Sequence, residues 1–75
     1  MKLSELKVGE TACIASIGSF QNKSALVELG FLKGTKVQLK MIAPFGDPIA
    51  IEILGSIIAI RLAEADHITV EKVDE

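Results

Sequence analysis

The chain has 75 residues, 49% of them apolar and 24% charged, with a net charge of −2 at pH 7. This length holds one domain, residues 1–75, around one small core, and leaves little room for a deep catalytic cavity. The composition excludes a disordered chain, and an acidic balance with a single arginine, Arg61, argues against nucleic acid as a partner, because phosphate binding relies on clustered Lys and Arg.

The lone cysteine, Cys13, cannot close an intramolecular disulfide, and no apolar leader follows Met1, so a cytoplasmic location is expected. Between Met41 and Ile60 only Asp47 and Glu52 are charged, a stretch long enough to span a bilayer. Pro44, Gly46 and Pro48 interrupt it and its apolar residues alternate, so two buried strands explain it better.

Leu3 to Gly9 has an apolar i, i+3 pair, Leu3 and Leu6, and suits one helical turn or a tight loop capping the core. Glu10 to Ile17 is small and β-branched and reads as a strand, although Ile14 and Ile17 would face opposite sides without a bulge. After the Gly18-Ser19-Phe20 turn the period becomes helical over roughly 22–29, with Asn22 as N-cap and Leu26 and Leu29 on one face. Gly30 is placed to take the left-handed position after the helix, with Phe31 packing back on Leu26. Leu32-Lys33-Gly34-Thr35 then predicts a type II turn with Gly34 at positive φ.

From Thr35 to Met41 alternation is strict, with Val37, Leu39 and Met41 on one face and Lys36, Gln38 and Lys40 on the other. Pro44 to Pro48 is a loop, and Ile49, Ile51 and Ile53 mark one face of the next strand. Gly55-Ser56 is expected to turn a hairpin into a strand over Ile57 to Leu62. Ala63 to Asp66 predicts one helical turn, Ile68 and Val70 a last strand, and Val73-Asp74-Glu75 a frayed end. The sum is mainly β: about five short strands curled into a small SH3-like or OB-like barrel, with a short helix after the first strand.

Four spaced blocks resemble the FeoA family: Leu3-x-x-Leu6-x-x-Gly9, Leu26-Val27-Glu28-Leu29-Gly30-Phe31-x-x-Gly34-Thr35, Ala43-Pro44-Phe45-Gly46-Asp47-Pro48-Ile49 and Gly55-x-x-Ile58-Ala59-Ile60-Arg61. The resemblance implies an SH3-like β-barrel with a helical insertion. It also implies a non-enzymatic accessory role in bacterial ferrous iron uptake, exercised on the cytoplasmic GTPase region of the membrane transporter FeoB. Contact with the membrane would then be only indirect, through the transporter. The chain departs from the family pattern at Ala25, where a basic residue is common, and at Lys33, where proline is common.

The chemistry-bearing residues assemble no catalytic motif. Gly30 and Gly34 lack the spacing and the Gly-Lys-Ser/Thr of a phosphate loop, and one His and one Cys supply no positioned pair. No catalytic residue and no cofactor is expected. The metal candidates are Cys13 and His67, too few for a ligand set, and they define an alternative reading as a sensor that binds a transition metal directly. Without Trp or Tyr, the chain also lacks the aromatic groove that docks proline-rich peptides.

Protein–protein contact is left as the function. Phe45, between Pro44 and Gly46 and with Asp47 next in the loop, either plugs one end of the barrel or stands out as an anchor for a partner. Lys23 on the helix, Lys33 beyond it and Arg61 complete the candidate partner surface. Arg61 could instead pair internally with Glu52 across the hairpin.

Overall fold

The computed structural model describes residues 1–73. Its elements are a 3-10 turn at Leu3–Glu5, β1 (Thr11–Ile17), α1 (Lys23–Glu28), β2 (Lys36–Ile42), β3 (Ile49–Ile53), β4 (Ser56–Ile60), α2 (Leu62–Ala65) and β5 (Ile68–Lys72). The strands form one antiparallel sheet in the order β4-β3-β2-β1-β5. The architecture is mainly β, an SH3-like barrel of five strands with a short helix after the first.

Alternation builds the core. Ile49, Ile51 and Ile53 of β3, Val37 and Leu39 of β2, Ala12 and Ile14 of β1, and Ile68 and Val70 of β5 are all buried in one cluster with Leu3, Leu6, Leu26, Phe31, Ile60 and Ala65. The bulge expected in β1 is present: its register with β5 shifts between Ile14 and Ser16, and Ile17 packs partly buried against the core.

A second register shift, between Leu39 and Met41 in β2, overturns the strict alternation read there. Lys40 is the extra residue, so Met41 faces Ala50 on the outer surface and is 60% exposed instead of buried with Leu39. The hairpin also differs. Ile53 pairs with Ser56, so the two-residue loop is Leu54-Gly55 and not Gly55-Ser56. Both loop residues have positive φ, 49° for Leu54 and 82° for Gly55, the signature of a type I′ turn.

The end of α1 follows from its sequence. The Phe31 N–H donates to the Leu26 carbonyl and the Gly30 N–H to the Val27 carbonyl, both at 3.0 Å, which is the Schellman pair of bonds. Gly30 adopts φ 108°, and Phe31 is fully buried beside Leu26 in the core. Leu26 and Leu29 part company, because Leu29 lies at the helix end and stays 46% exposed. Asn22 stands at the N-cap, but its side chain makes no capping bond. The type II turn forms as expected, with Thr35 N–H on the Leu32 carbonyl (3.0 Å) and Gly34 at φ 91°.

Of the end expected to fray, Val73 is held by its N–H on the Thr11 carbonyl (2.9 Å), and Asp74 and Glu75 lie outside the described residues.

Candidate functional site

The loop between β2 and β3 carries the most exposed apolar side chain of the protein. Its neck is closed by the Ala43 N–H on the Pro48 carbonyl (3.0 Å), and a tight turn follows from the Gly46 N–H on the Ala43 carbonyl (2.7 Å). Gly46 has φ 93°, a conformation that glycine adopts without strain. The turn places Phe45 at the tip, 99% exposed, so it plugs nothing. A fully exposed Phe retains its whole apolar surface for a contact.

Asp47 ties this loop to the next feature. Its Oδ1 accepts the Leu62 N–H (3.0 Å), one of the orphan donors at the start of α2. Arg61 immediately precedes that helix, and its own N–H donates to Glu64 Oε1 (3.1 Å). The pairing of Arg61 with Glu52 does not form. Glu52 sits opposite Ile57 and takes Lys40 Nζ at 3.4 Å.

Beside Arg61 opens a cleft of about 480 Å³, lined by Phe20, Gln21, Asn22, Arg61, Ala63, Glu64 and His67. The Phe20 and His67 rings stack in it, with centroids 5.4 Å apart and planes inclined by 19°. The Gly18 N–H on the His67 carbonyl (2.7 Å) holds the two segments together. The structure thus gathers Phe45, Gly46, Asp47 and Arg61 along one run of surface, and Lys23, half-buried, follows the cleft residue Asn22. Lys33 is exposed in the turn after α1 and lines neither loop nor cleft.

Cys13 and His67 are not brought together. Cys13 is a half-buried free thiol facing Glu71 in the β1–β5 ladder, whereas His67 precedes Ile68, which faces Ile17. Four residues of strand at ~3.3 Å each separate the two levels, roughly 13 Å. Among the described residues no three His, Cys, Asp or Glu side chains converge on one point, and no helix is long and apolar enough to cross a membrane.

The Glu10 carboxyl titrates low. The hydrogen bond from Lys72 and then the Lys7 N–H (2.7 Å) hold it below the ordinary glutamate range.

The fold and site therefore define a small SH3-like barrel with a projecting aromatic loop. The FeoA domain model matches residues 1–72, and the chain belongs to the FeoA domain family. A relative in Porphyromonas gingivalis, an Fe(2+) transport protein A/Fe(2+) transporter FeoB fusion protein, is 32% identical over 74 residues. That match covers 95% of this chain and only 8% of the fusion protein. Among solved structures, the FeoA protein of Chlorobium tepidum is 37% identical with a TM-score of 0.93, over 99% of this chain and 71% of that one. The FeoA of Stenotrophomonas maltophilia, solved with zinc and described as an SH3 domain protein, is 30% identical with a TM-score of 0.82, over 95% of this chain and 89% of that one.

Proposed function

We propose that this chain is a non-enzymatic accessory protein of bacterial ferrous iron uptake, which binds the cytoplasmic GTPase region of FeoB and modulates the assembly or GTP cycle of the transporter. The observation that carries the reading is the Porphyromonas gingivalis relative, in which transport protein A and FeoB are one polypeptide. Fusion holds two modules at high effective concentration, and two separate chains need an affinity of their own to match it. In this reading the chain works in the cytoplasm, at the inner face of the membrane when the transporter holds it, and GTP hydrolysis belongs to the transporter.

Phe45 is the anchor, because a ring this exposed has nearly all of its surface to bury against a partner. Gly46 sets the ring at the tip, Asp47 fixes the loop to α2, and Arg61 and Lys23 supply cationic contacts on the same side, while Lys33, in the turn after α1, would meet the partner only at a separate point. Transition-metal sensing through Cys13 and His67 has no comparable support, given their separation along the β1–β5 ladder.

An NMR titration of the labelled chain with the soluble GTPase region of its cognate transporter, in GDP and in a non-hydrolysable GTP analogue, tests the proposal. Saturable shifts at residues 44–48 and 61 are expected, with Phe45→Ala weakening binding by roughly 30-fold, the scale of an interface hot spot, and leaving the melting midpoint in place. No shift in either nucleotide state would overturn it.

A further inference from the structure

The five-stranded sheet has two edge strands, β5 and β4, and among the described residues only β5 is covered. Lys2 bridges to Thr69, the Val70 N–H donates to the Met1 carbonyl (2.8 Å), and the Met1 amine donates to the Val70 carbonyl (3.2 Å). At β4 the two-residue loop makes Ile53 and Ser56 the hydrogen-bonded pair, and alternation then gives Ile51 with Ile58 and Ile49 with Ile60. Ile57 and Ala59 consequently point their N–H and C=O groups away from β3. Among the described residues no backbone bond from another element reaches them.

The usual protections of an edge are missing as well. Ile53 to Ile60 contains no charge and no proline, and the ladder with β3 runs without a bulge. Ile57 is 63% exposed, and Ala59 is exposed beside it. A strand of this kind is a template for a further strand.

We infer that β4 is an interaction edge and that its occupant is β4 of a second copy of this chain, paired antiparallel about Ile58. This reading goes beyond contact with a transporter. In that register the Ile57 and Ala59 N–H groups of each chain donate to the Ala59 and Ile57 carbonyls of the other, using the four donors and four acceptors that point outward. Ile57 meets Ala59 of the second copy on both sides of the axis, a large side chain against a small one, and Ile58 meets its own counterpart. Ser56 and Ile60 close the two ends, so the strand ends where its self-pairing ends. No like charges meet, because the strand carries none. The two-fold operation thus supplies the complement from the same sequence.

The area sets the strength. A stable interface hides about 800 Å² per partner, roughly a sixth of this chain's 4603 Å². A five-residue strand with Met41 and Ala50 beyond it on the same outer row covers less, so the pair forms at high concentration and dissociates on dilution.

Sedimentation equilibrium of the full chain from micromolar to millimolar concentration reads this directly. The apparent mass should climb towards twice the monomer value, and amide exchange at Ile57 and Ala59 should slow over the same range. Ile57→Lys should keep the chain monomeric throughout, with a melting midpoint close to the parent's because the side chain is mostly exposed. A monomer at every concentration would overturn the inference. So would a dimer that survives Ile57→Lys or leaves the Ile57 and Ala59 amides unprotected, and so would an edge that takes only a foreign strand.

Discussion

The two sides of the sheet are finished by opposite means. On the β5 side the edge is tied down by specific contacts: besides those of Met1 and Lys2, Ser4 Oγ donates to Asp66 Oδ1 and Lys72 pairs with Glu10, both at 2.5 Å. On the β4 side Leu54 is held at φ 49° while 74% exposed, Ile57 stands in water, and among the described residues none bonds to the strand's outer edge. A leucine gains little from that position and pays in backbone strain, a combination found where a surface is kept for use. The contrast teaches that this small chain spends its N-terminal residues on closing one edge and leaves the other open.

The contrast can be broken first at its closed side. Leu3 is fully buried and anchors the segment that covers β5, so Leu3→Ala should cost about 3 kcal/mol and lower the melting temperature by more than ~10 °C. A loss under ~1 kcal/mol would show that the covered edge does not depend on this anchor.

At the open side the hairpin rests on Gly30, where an added Cβ would sit 2.4 Å from Leu54 Cδ1 on a backbone at φ 108°. Gly30→Val should destabilise by about 2 kcal/mol in urea titration, and adding Leu54→Ala should return part of that loss. If the double variant recovers nothing, backbone strain alone sets the penalty. Leu54→Asn should go the other way, stabilising by roughly 0.5–1 kcal/mol, because Asn accepts the left-handed conformation that a type I′ turn requires. A lower melting midpoint would mean that the Leu54 contact over Gly30 outweighs the strain.

The smallest effect concerns the Glu10–Lys72 pair. The folded state lowers the Glu10 pKa, so the contribution of the pair is present above the ordinary glutamate value and is lost as pH falls through the lowered one. Glu10→Gln should flatten the acid side of a plot of melting midpoint against pH and change little else. An unchanged acid slope would remove Glu10 from the closed edge's electrostatics.

What the residues disclosed depended on how local the physics was. The stop of α1 is written within Leu26 to Phe31, because a Schellman end needs only a glycine and one apolar partner close by. The alternation of β3 and the bulge in β1 were legible for the same reason. Met41 was misplaced because the bulge in β2 arises from pairing with β3, and strict alternation on one strand carries no sign of it. The hairpin loop was misplaced by one residue because leucine is a poor choice at positive φ, so Gly55-Ser56 looked the better turn. Of the candidate site, the Pro44 to Pro48 loop could be read but not the fate of Phe45, since a ring between two turn residues fits equally well inward or outward. The Phe20–His67 stack and the cleft around it join residues far apart in sequence, and nothing local announces them.

That stack has a practical consequence. With three phenylalanines and neither Trp nor Tyr in the chain, few rings generate strong local magnetic fields. The imidazole lies nearly parallel to the Phe20 ring with centroids 5.4 Å apart, close enough for the ring current to move its proton resonances. A molecule entering the cleft would have to disturb this geometry, so the His67 ring protons form an unlabelled reporter of occupancy, readable in a one-dimensional proton spectrum.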